Sequence, residues 1–231
     1  MARAIENLLD EETLPLRAES EAELASFYQV ATPAEYHRFL GRWYGFIAPL
    51  ERSVLDTTEI ELVIDPRRFG KRLLLEHDLQ ASGMKLIEIQ SLPQCMWIPW
   101  FEDVYTALGW AYVVERNAQT FPSLFRHLAS TLPGEAAFGA TFLKCYASGS
   151  GEMWASFVRG LARARRQQQH LDSVVAGAKA GYRFFRRWRS TLDGKGLSGN
   201  GPADDQAPDV PARDPQANAR EEPSIAPAEE S

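Results

Sequence analysis

The stretch that most limits how this chain can fold begins with Thr32-Pro33-Ala34-Glu35 and continues as a series of apolar residues at helical spacing. Threonine followed three residues later by glutamate, with proline at the first helical position, is a helix start signal. The apolar side chains that follow recur every three or four residues, as they do on one face of a helix. They are Tyr36, Phe39, Leu40, Trp43, Phe46, Ile47 and Leu50. This pattern predicts a long amphipathic helix with one face in a core.

The rest of the chain up to residue 192 also favours helices. We predict one helix from Asp65-Pro66 to about Gly83, and another over residues 101–118 that Pro122 breaks or kinks before SLFRHLAS continues it. Further helices are expected around FGATFLKCY, GEMWASFVRGLARARR and SVVAGAKAGYRFFRRWRSTL. The alternating segments IELVI and LIEIQ are too short and too isolated to form a sheet. The sequence therefore predicts an all-α fold.

Length and composition limit the class of protein. The chain has 231 residues, of which 45% are hydrophobic, enough for a substantial core. It has no apolar run of signal-peptide or membrane-span length. We therefore expect a cytoplasmic protein that binds neither membranes nor nucleic acid. Cys95 and Cys145 are fifty residues apart and form no metal-binding or disulfide pattern, so we interpret both as buried thiols.

Residues 193–231 differ from the rest in composition. They hold nine acidic and three basic residues, no aromatic residue and few large aliphatic ones. Such a composition predicts a disordered, acidic tail rich in proline and alanine. The chain has 31 acidic and 25 basic residues, so 22 of each remain in residues 1–192. We thus predict one formally neutral folded domain over residues 1–192, and the acidic balance of the chain belongs to the tail.

The segment from Arg159 to Arg189 is strongly basic. Its only acidic residue is Asp172, against Arg159, Arg163, Arg165, Arg166, Lys179, Arg183, Arg186, Arg187 and Arg189. One interpretation is a solvated helix face. The other is an anion site that receives ligand carboxylates or an acidic protein partner. The sequence leaves both open.

Several segments, in their order and spacing, carry a resemblance to a known family. They are LPLRAESEAEL, TPAEYHRFLGRWYGFIAPLE, the SLP loop, ALGWAYVVE and FLKCYASGSGEMWASFVRGL. Together they resemble the bacterial, biliverdin-producing heme oxygenases of the type associated with phytochromes, over most of residues 12–190. The resemblance implies a single-domain, heme-oxygenase-like helical bundle. In that fold heme lies between a proximal helix near the N-terminus and a kinked distal helix.

The proximal helix departs from the family pattern at its most important position. The basic residue that pairs with a heme propionate in the family falls on Arg17. The position of the histidine that binds heme iron falls on Leu24, which has no lone pair to donate. The first histidine in the chain is His37, so no small shift of the alignment supplies an imidazole to this helix.

The distal helix departs as well. After a match at Tyr112 the family has a glycine-rich run, which lets the backbone approach the heme face and leaves room for oxygen and water. This chain instead has Arg116, Asn117, Gln119 and Phe121 in that run. The resemblance implies that Tyr112 and these side chains line the ligand site, together with Arg17, Leu24 and one or more arginines between Arg159 and Arg187.

Two functions of different classes remain. The protein is either a non-catalytic, degenerate relative that binds a tetrapyrrole or acts as a regulatory or interaction protein, or an active heme oxygenase with an atypical iron ligand. The active enzyme would cleave heme to biliverdin, iron and carbon monoxide with an electron donor such as a ferredoxin. No catalytic residue or metal site is evident, because none of the four histidines follows a glutamate at the spacing of di-iron proteins. We favour the non-catalytic function, with heme, a bilin or a protein partner as the alternatives for what the protein binds.

Overall fold

The computed structural model describes residues 2–145 and 150–192, and within them the chain forms ten α-helices and no strand. Four short 3₁₀ segments, Ser26–Gln29, Pro66–Arg68, Ala118–Thr120 and Ala162–Arg166, lie between them. The α-helices are α1 (Ala2–Ala25), α2 (Pro33–Leu55), α3 (Ile60–Val63), α4 (Lys71–Ala81), α5 (Leu86–Gln90), α6 (Val104–Asn117), α7 (Phe121–Thr131), α8 (Pro133–Phe138), α9 (Ser150–Leu161) and α10 (Gln168–Leu192). The all-α prediction is confirmed for these residues.

Helix α2 begins as the sequence predicts. The Thr32 hydroxyl accepts a hydrogen bond from the Glu35 amide at 3.3 Å, and the Glu35 carboxylate accepts from the Thr32 amide at 3.0 Å. This reciprocal pair satisfies amides that the first turn of a helix leaves without partners. The predicted apolar face, including Trp43 and Phe46, is buried.

The core is centred on α6, which packs most extensively on α10 and also contacts α2. Two glycines allow this close approach. A Cβ at Gly109 would lie 2.6 Å from the Ala178 amide nitrogen, and one at Gly177 would meet the backbone of Thr106. Because real Cβ atoms do not come so close to backbone atoms, the α6 and α10 axes can be this near only with glycine at the crossing.

Helix α4 starts later than predicted. Residues Pro66–Arg68 form a 3₁₀ turn, and the α-helix begins at Lys71. The buried Glu51 carboxylate of α2 accepts hydrogen bonds from the amides of Lys71 and Arg72 at 2.9 and 3.0 Å. Glu51 therefore caps α4 from another helix, which a local pattern cannot indicate.

The predicted helix around FGATFLKCY is wrong over most of its length. Helix α8 ends at Phe138, and Thr141 to Cys145 form a turn. The fully buried Asp78 carboxylate accepts hydrogen bonds from the amides of Thr141 and Phe142 at 2.9 and 2.8 Å. These bonds to α4 compete with the helical pattern and hold the segment as a turn.

The chain divides by its internal contacts into Met1–Ser198 and Gly199–Ser231. The predicted acidic tail, residues 193–231, lies outside the described residues. Among the helices that the structure describes, none is both long enough and apolar enough to cross a membrane. Both cysteines are free thiols, Cys95 buried and Cys145 half-buried.

Candidate functional site between α1 and α6

Asp10 of α1 is the centre of the contact between α1 and α6. Its Oδ1 accepts hydrogen bonds from the Tyr112 hydroxyl at 2.8 Å and from Arg116 Nε at 3.2 Å. The Arg17 guanidinium, seven residues along α1, forms an ion pair with the same oxygen. One carboxylate thus receives donors from two arginines and a tyrosine, three of the residues that the sequence assigns to ligand binding.

The cluster around Asp10 is partly shielded from water. The side chains of Arg17, Arg116 and Asp10 are 13%, 28% and 31% exposed. Burial, with the hydrogen bond to Asp10 adding to it, raises the pKa of Tyr112, so this hydroxyl stays protonated and donates. The buried hydroxyl of Tyr182 in α10 has no hydrogen-bond partner within the described residues. Its pKa is raised mainly by burial and next by the neighbouring Tyr112.

A second polar contact lies further along the same two helices. The Ser20 hydroxyl donates to Asn117 Oδ1 at 3.2 Å, and Asn117 Nδ2 donates to the Val113 carbonyl at 2.9 Å. Both Ser20 and Asn117 are buried. Asn117 therefore joins α6 to α1 directly at the place where the family resemblance implies a glycine.

Phe121, the last residue of the segment that replaces the family's glycine-rich run, belongs to an aromatic cluster in the core. Its ring centre is 4.7 Å from that of Phe142 and 5.5 Å from that of Trp43, and it is fully buried. Trp43 also contacts Phe185 of α10 at 5.1 Å. These rings fill the space beside the start of α7.

The residues in this region do not fit an iron-ligated heme. Leu24 is only 3% exposed, at the position that the resemblance assigns to the axial histidine, and contributes an apolar side chain. Arg116 and Asn117 contact α1, and Phe121 lies in the aromatic cluster, so these three side chains occupy the face that glycines would leave open. The part of the chain that the structure describes contains no group of three or more metal-binding side chains.

The imidazole nearest in sequence to Leu24 already has a partner. His37 Nε2 of α2 is 3.2 Å from the Glu135 carboxylate of α8. It is half-buried rather than a simple surface residue, which differs from the usual position of a histidine off the apolar stripe.

The basic segment is divided among several roles. Arg159 of α9 is exposed, and no described contact joins it to Asp10. Lys179 and Arg186 of α10 form ion pairs with Glu12 and Glu19 of α1. The Arg187 guanidinium lies 4.4 Å from the centre of the Trp97 ring. The side chain of Arg165 lies outside the described residues.

Asp10, which all three donors contact, is not among the ligand-binding residues that the sequence predicts. A signal for it exists, since residues seven apart lie on one face of a helix, and Asp10 and Arg17 have that spacing. What the sequence could not indicate is that Tyr112 and Arg116 meet Asp10 across about a hundred residues.

No family model, curated protein or solved structure matches the chain.

Proposed function

We propose that this protein is a heme-oxygenase-like protein that does not cleave heme, and that it acts as a binding protein for a carboxylate-bearing tetrapyrrole. Electron donors and oxygen have no part in this function. The protein recognises the ligand through its carboxylates and not through a metal ion.

The observation that carries the proposal is the donor set around Asp10. A propionate has the same carboxylate group as aspartate, and it can take the place of Asp10 between Arg17, Arg116 and Tyr112. Hydrogen bonds from charged donors are each worth about 1.5–3 kcal/mol when shielded from water. The partly buried guanidinium groups meet this condition.

Leu24 supports the non-catalytic half of the proposal. Heme cleavage needs an axial ligand that fixes the iron and a distal space for oxygen. A buried leucine supplies no ligand, and Phe121 lies within packed aromatic rings. Neither requirement is met by the residues that the resemblance assigns to it.

The test is a titration of the purified protein with biliverdin and with hemin. We expect saturable binding of one molecule per chain, and no sharp Soret band of an imidazole-ligated heme. Arg17→Ala should weaken the binding at least tenfold, because it removes one charged donor worth about 1.4 kcal/mol or more. Asp10→Asn should strengthen it, because the internal competitor loses its charge.

Glu12→Gln is the matched control. Glu12 is also an acidic residue of α1 in an ion pair, but its partner is Lys179 of α10. This variant should leave tetrapyrrole affinity unchanged. The absence of saturable binding, or equal effects of the Asp10 and Glu12 variants, would contradict the proposal. Biliverdin production by the wild-type protein with heme, a reductase and oxygen would favour the catalytic alternative, and His37→Ala would be the next variant to assay.

A further inference from the structure

A cleft of about 260 Å³ opens where the segment after α1 and the first turns of α2 approach the end of α10. The residues that give it its chemistry are Gln29, Glu35, Arg38, Phe39, Arg42 and Arg189. Asp10, Arg17, Tyr112 and Arg116 are not among the lining residues. The cleft is thus distinct from the contact between α1 and α6.

Three guanidinium groups from two helices converge on this cleft. Arg38 and Arg42 are four residues apart, so they lie one above the other on the same face of α2. Arg189 comes from α10 and is only 7% exposed, with its guanidinium carbon 5.6 Å from the centre of the Phe185 ring. The adjacent Trp188 donates from Nε1 to the Arg42 carbonyl at 3.0 Å. This bond fixes the end of α10 against α2 and brings the cations together.

Glu35 is the one carboxylate among the cleft's lining residues, and it is already occupied. Its Oε2 accepts hydrogen bonds from the amides of Ala31 and Thr32 at 3.0 Å each, and from the Thr32 hydroxyl at 2.9 Å. The bond from the Ala31 amide is the main reason that the pKa of Glu35 is lowered. The lining residues therefore carry three cations and one engaged anion.

A bound anion would offset the repulsion among the three arginines. The site does not require that Arg42 or Arg189 lack a partner in the protein, because a guanidinium has five N–H donors and can serve a second acceptor. Arg38 is exposed, and the described residues give it no hydrogen bond or ion pair, only the charge attraction of Glu35. It is the residue most available to a ligand.

The cleft also has an apolar wall. Phe39 and Phe27 line it and are 9% and 2% exposed, and their rings contact each other with centres 4.5 Å apart. Ligand sites commonly combine an apolar wall with a few polar groups that fix orientation. Phe27 is already covered by its neighbours, so Phe39 supplies the apolar surface that an inorganic ion alone would leave exposed.

We propose that this cleft binds a small organic anion, in which a carboxylate or phosphate group is carried on an apolar or aromatic body. The anionic group meets Arg38, Arg42 and Arg189, and the apolar body packs on Phe39. This site goes beyond the tetrapyrrole function and does not depend on it.

The experiment is calorimetric titration of the full chain with phenyl phosphate, benzoate and inorganic phosphate, with benzyl alcohol as the uncharged analogue. Arg38→Gln tests the site. Arg52→Gln is the control, because Arg52 is an exposed arginine of the same helix, fourteen residues or about 21 Å further along it.

We expect one-to-one binding of phenyl phosphate or benzoate that Arg38→Gln weakens at least fivefold and Arg52→Gln leaves unchanged. Arg17→Ala should also leave it unchanged, which separates this site from the tetrapyrrole site. The proposal is overturned if none of the three anions binds saturably, if both arginine variants act equally, or if benzyl alcohol binds as tightly as benzoate. Inorganic phosphate binding as tightly as phenyl phosphate would overturn the role of the apolar wall.

Discussion

Asp10 changes how the three residues that contact it are interpreted. Arg17, Tyr112 and Arg116 can each be selected from the sequence, but as ligand-binding residues that face an open pocket. In the structure they converge on a carboxylate of the protein itself. A carboxylate ligand at this place would have to displace Asp10 from these three donors. Its affinity would therefore reflect how much more strongly the donors bind the carboxylate of the ligand than that of Asp10.

The two thiols are expected to react slowly in the folded protein. Burial raises the pKa of Cys95 to about 11 and that of Cys145 to about 12. Because the thiolate is the reactive form, roughly one Cys95 in a thousand is reactive at pH 8. We expect the native protein to react with a disulfide reagent such as DTNB at least about a hundredfold more slowly than the unfolded protein. Absorbance at pH 8 with and without guanidinium measures both rates. A fast native reaction of one thiol would show that it is accessible, and Cys95→Ser and Cys145→Ser would identify it.

Helices α6 and α10 come close together where they cross, because Gly109 and Gly177 have no side chains at this place. A methyl group at Gly109 would meet the backbone of α10 near Val174 and Ala178, which cannot move as a side chain can. Overpacking of this kind typically costs about 1–3 kcal/mol, and more when the backbone must shift. We therefore expect Gly109→Ala to lower the free energy of unfolding by at least about 1 kcal/mol.

The control for this prediction is Gly134→Ala in α8, where an added Cβ meets nothing within 4 Å. Alanine is favoured over glycine in a helix by about 1 kcal/mol, so this variant should be neutral or stabilising. Urea denaturation of both variants and the wild type gives the comparison. Equal stability of Gly109→Ala and the wild type would mean that the two helices are further apart than described.

The start of a helix can be predicted from the sequence when the residues that cap it lie next to it in the chain. The start of α2 is encoded within four consecutive residues, and Asp103 likewise caps α6 through the amides of Tyr105 and Thr106. The start of α4 and the turn after α8 depend on Glu51 and Asp78, about 20 and 63 residues away along the chain. A local pattern cannot contain a capping group that arrives by tertiary packing.

The candidate site also combines features that the sequence can indicate with contacts that only tertiary packing creates. Residue types on one helix, such as Arg17 and Leu24, can be assigned a role from their spacing. The contact between α1 and α6 joins two helices that both pack on α10, and the sequence pattern does not place either of them against α10. Likewise, the cleft lined by Arg38, Arg42 and Arg189 lies between the beginning of α2 and the end of α10. Neither Arg38 nor Arg189 alone indicates it from the sequence.

Glu51, a buried acidic residue of α2, is expected to make the stability of the protein depend on pH. Glu51 is 6% exposed, and burial raises its pKa, although Lys71 and the capped amides oppose the shift. An acid whose pKa is higher in the folded state binds its proton more tightly there. Its contribution to stability is fully present below the unfolded pKa of about 4.5 and is lost as pH rises through the folded pKa.

Glu51→Gln removes this titration and keeps one oxygen that can accept from the α4 amides. We expect the free energy of unfolding of the wild type, minus that of Glu51→Gln, to decrease as pH rises from about 4.5 toward neutrality. Urea denaturation of both proteins across this range measures the difference at each pH. A difference that instead increases with pH would mean that Lys71 and the two amides outweigh burial, so that the pKa of Glu51 is lowered in the folded protein. Glu51 would then be a carboxylate that stabilises α4 by its charge, and this contribution would be present at neutral pH and weaken in acid.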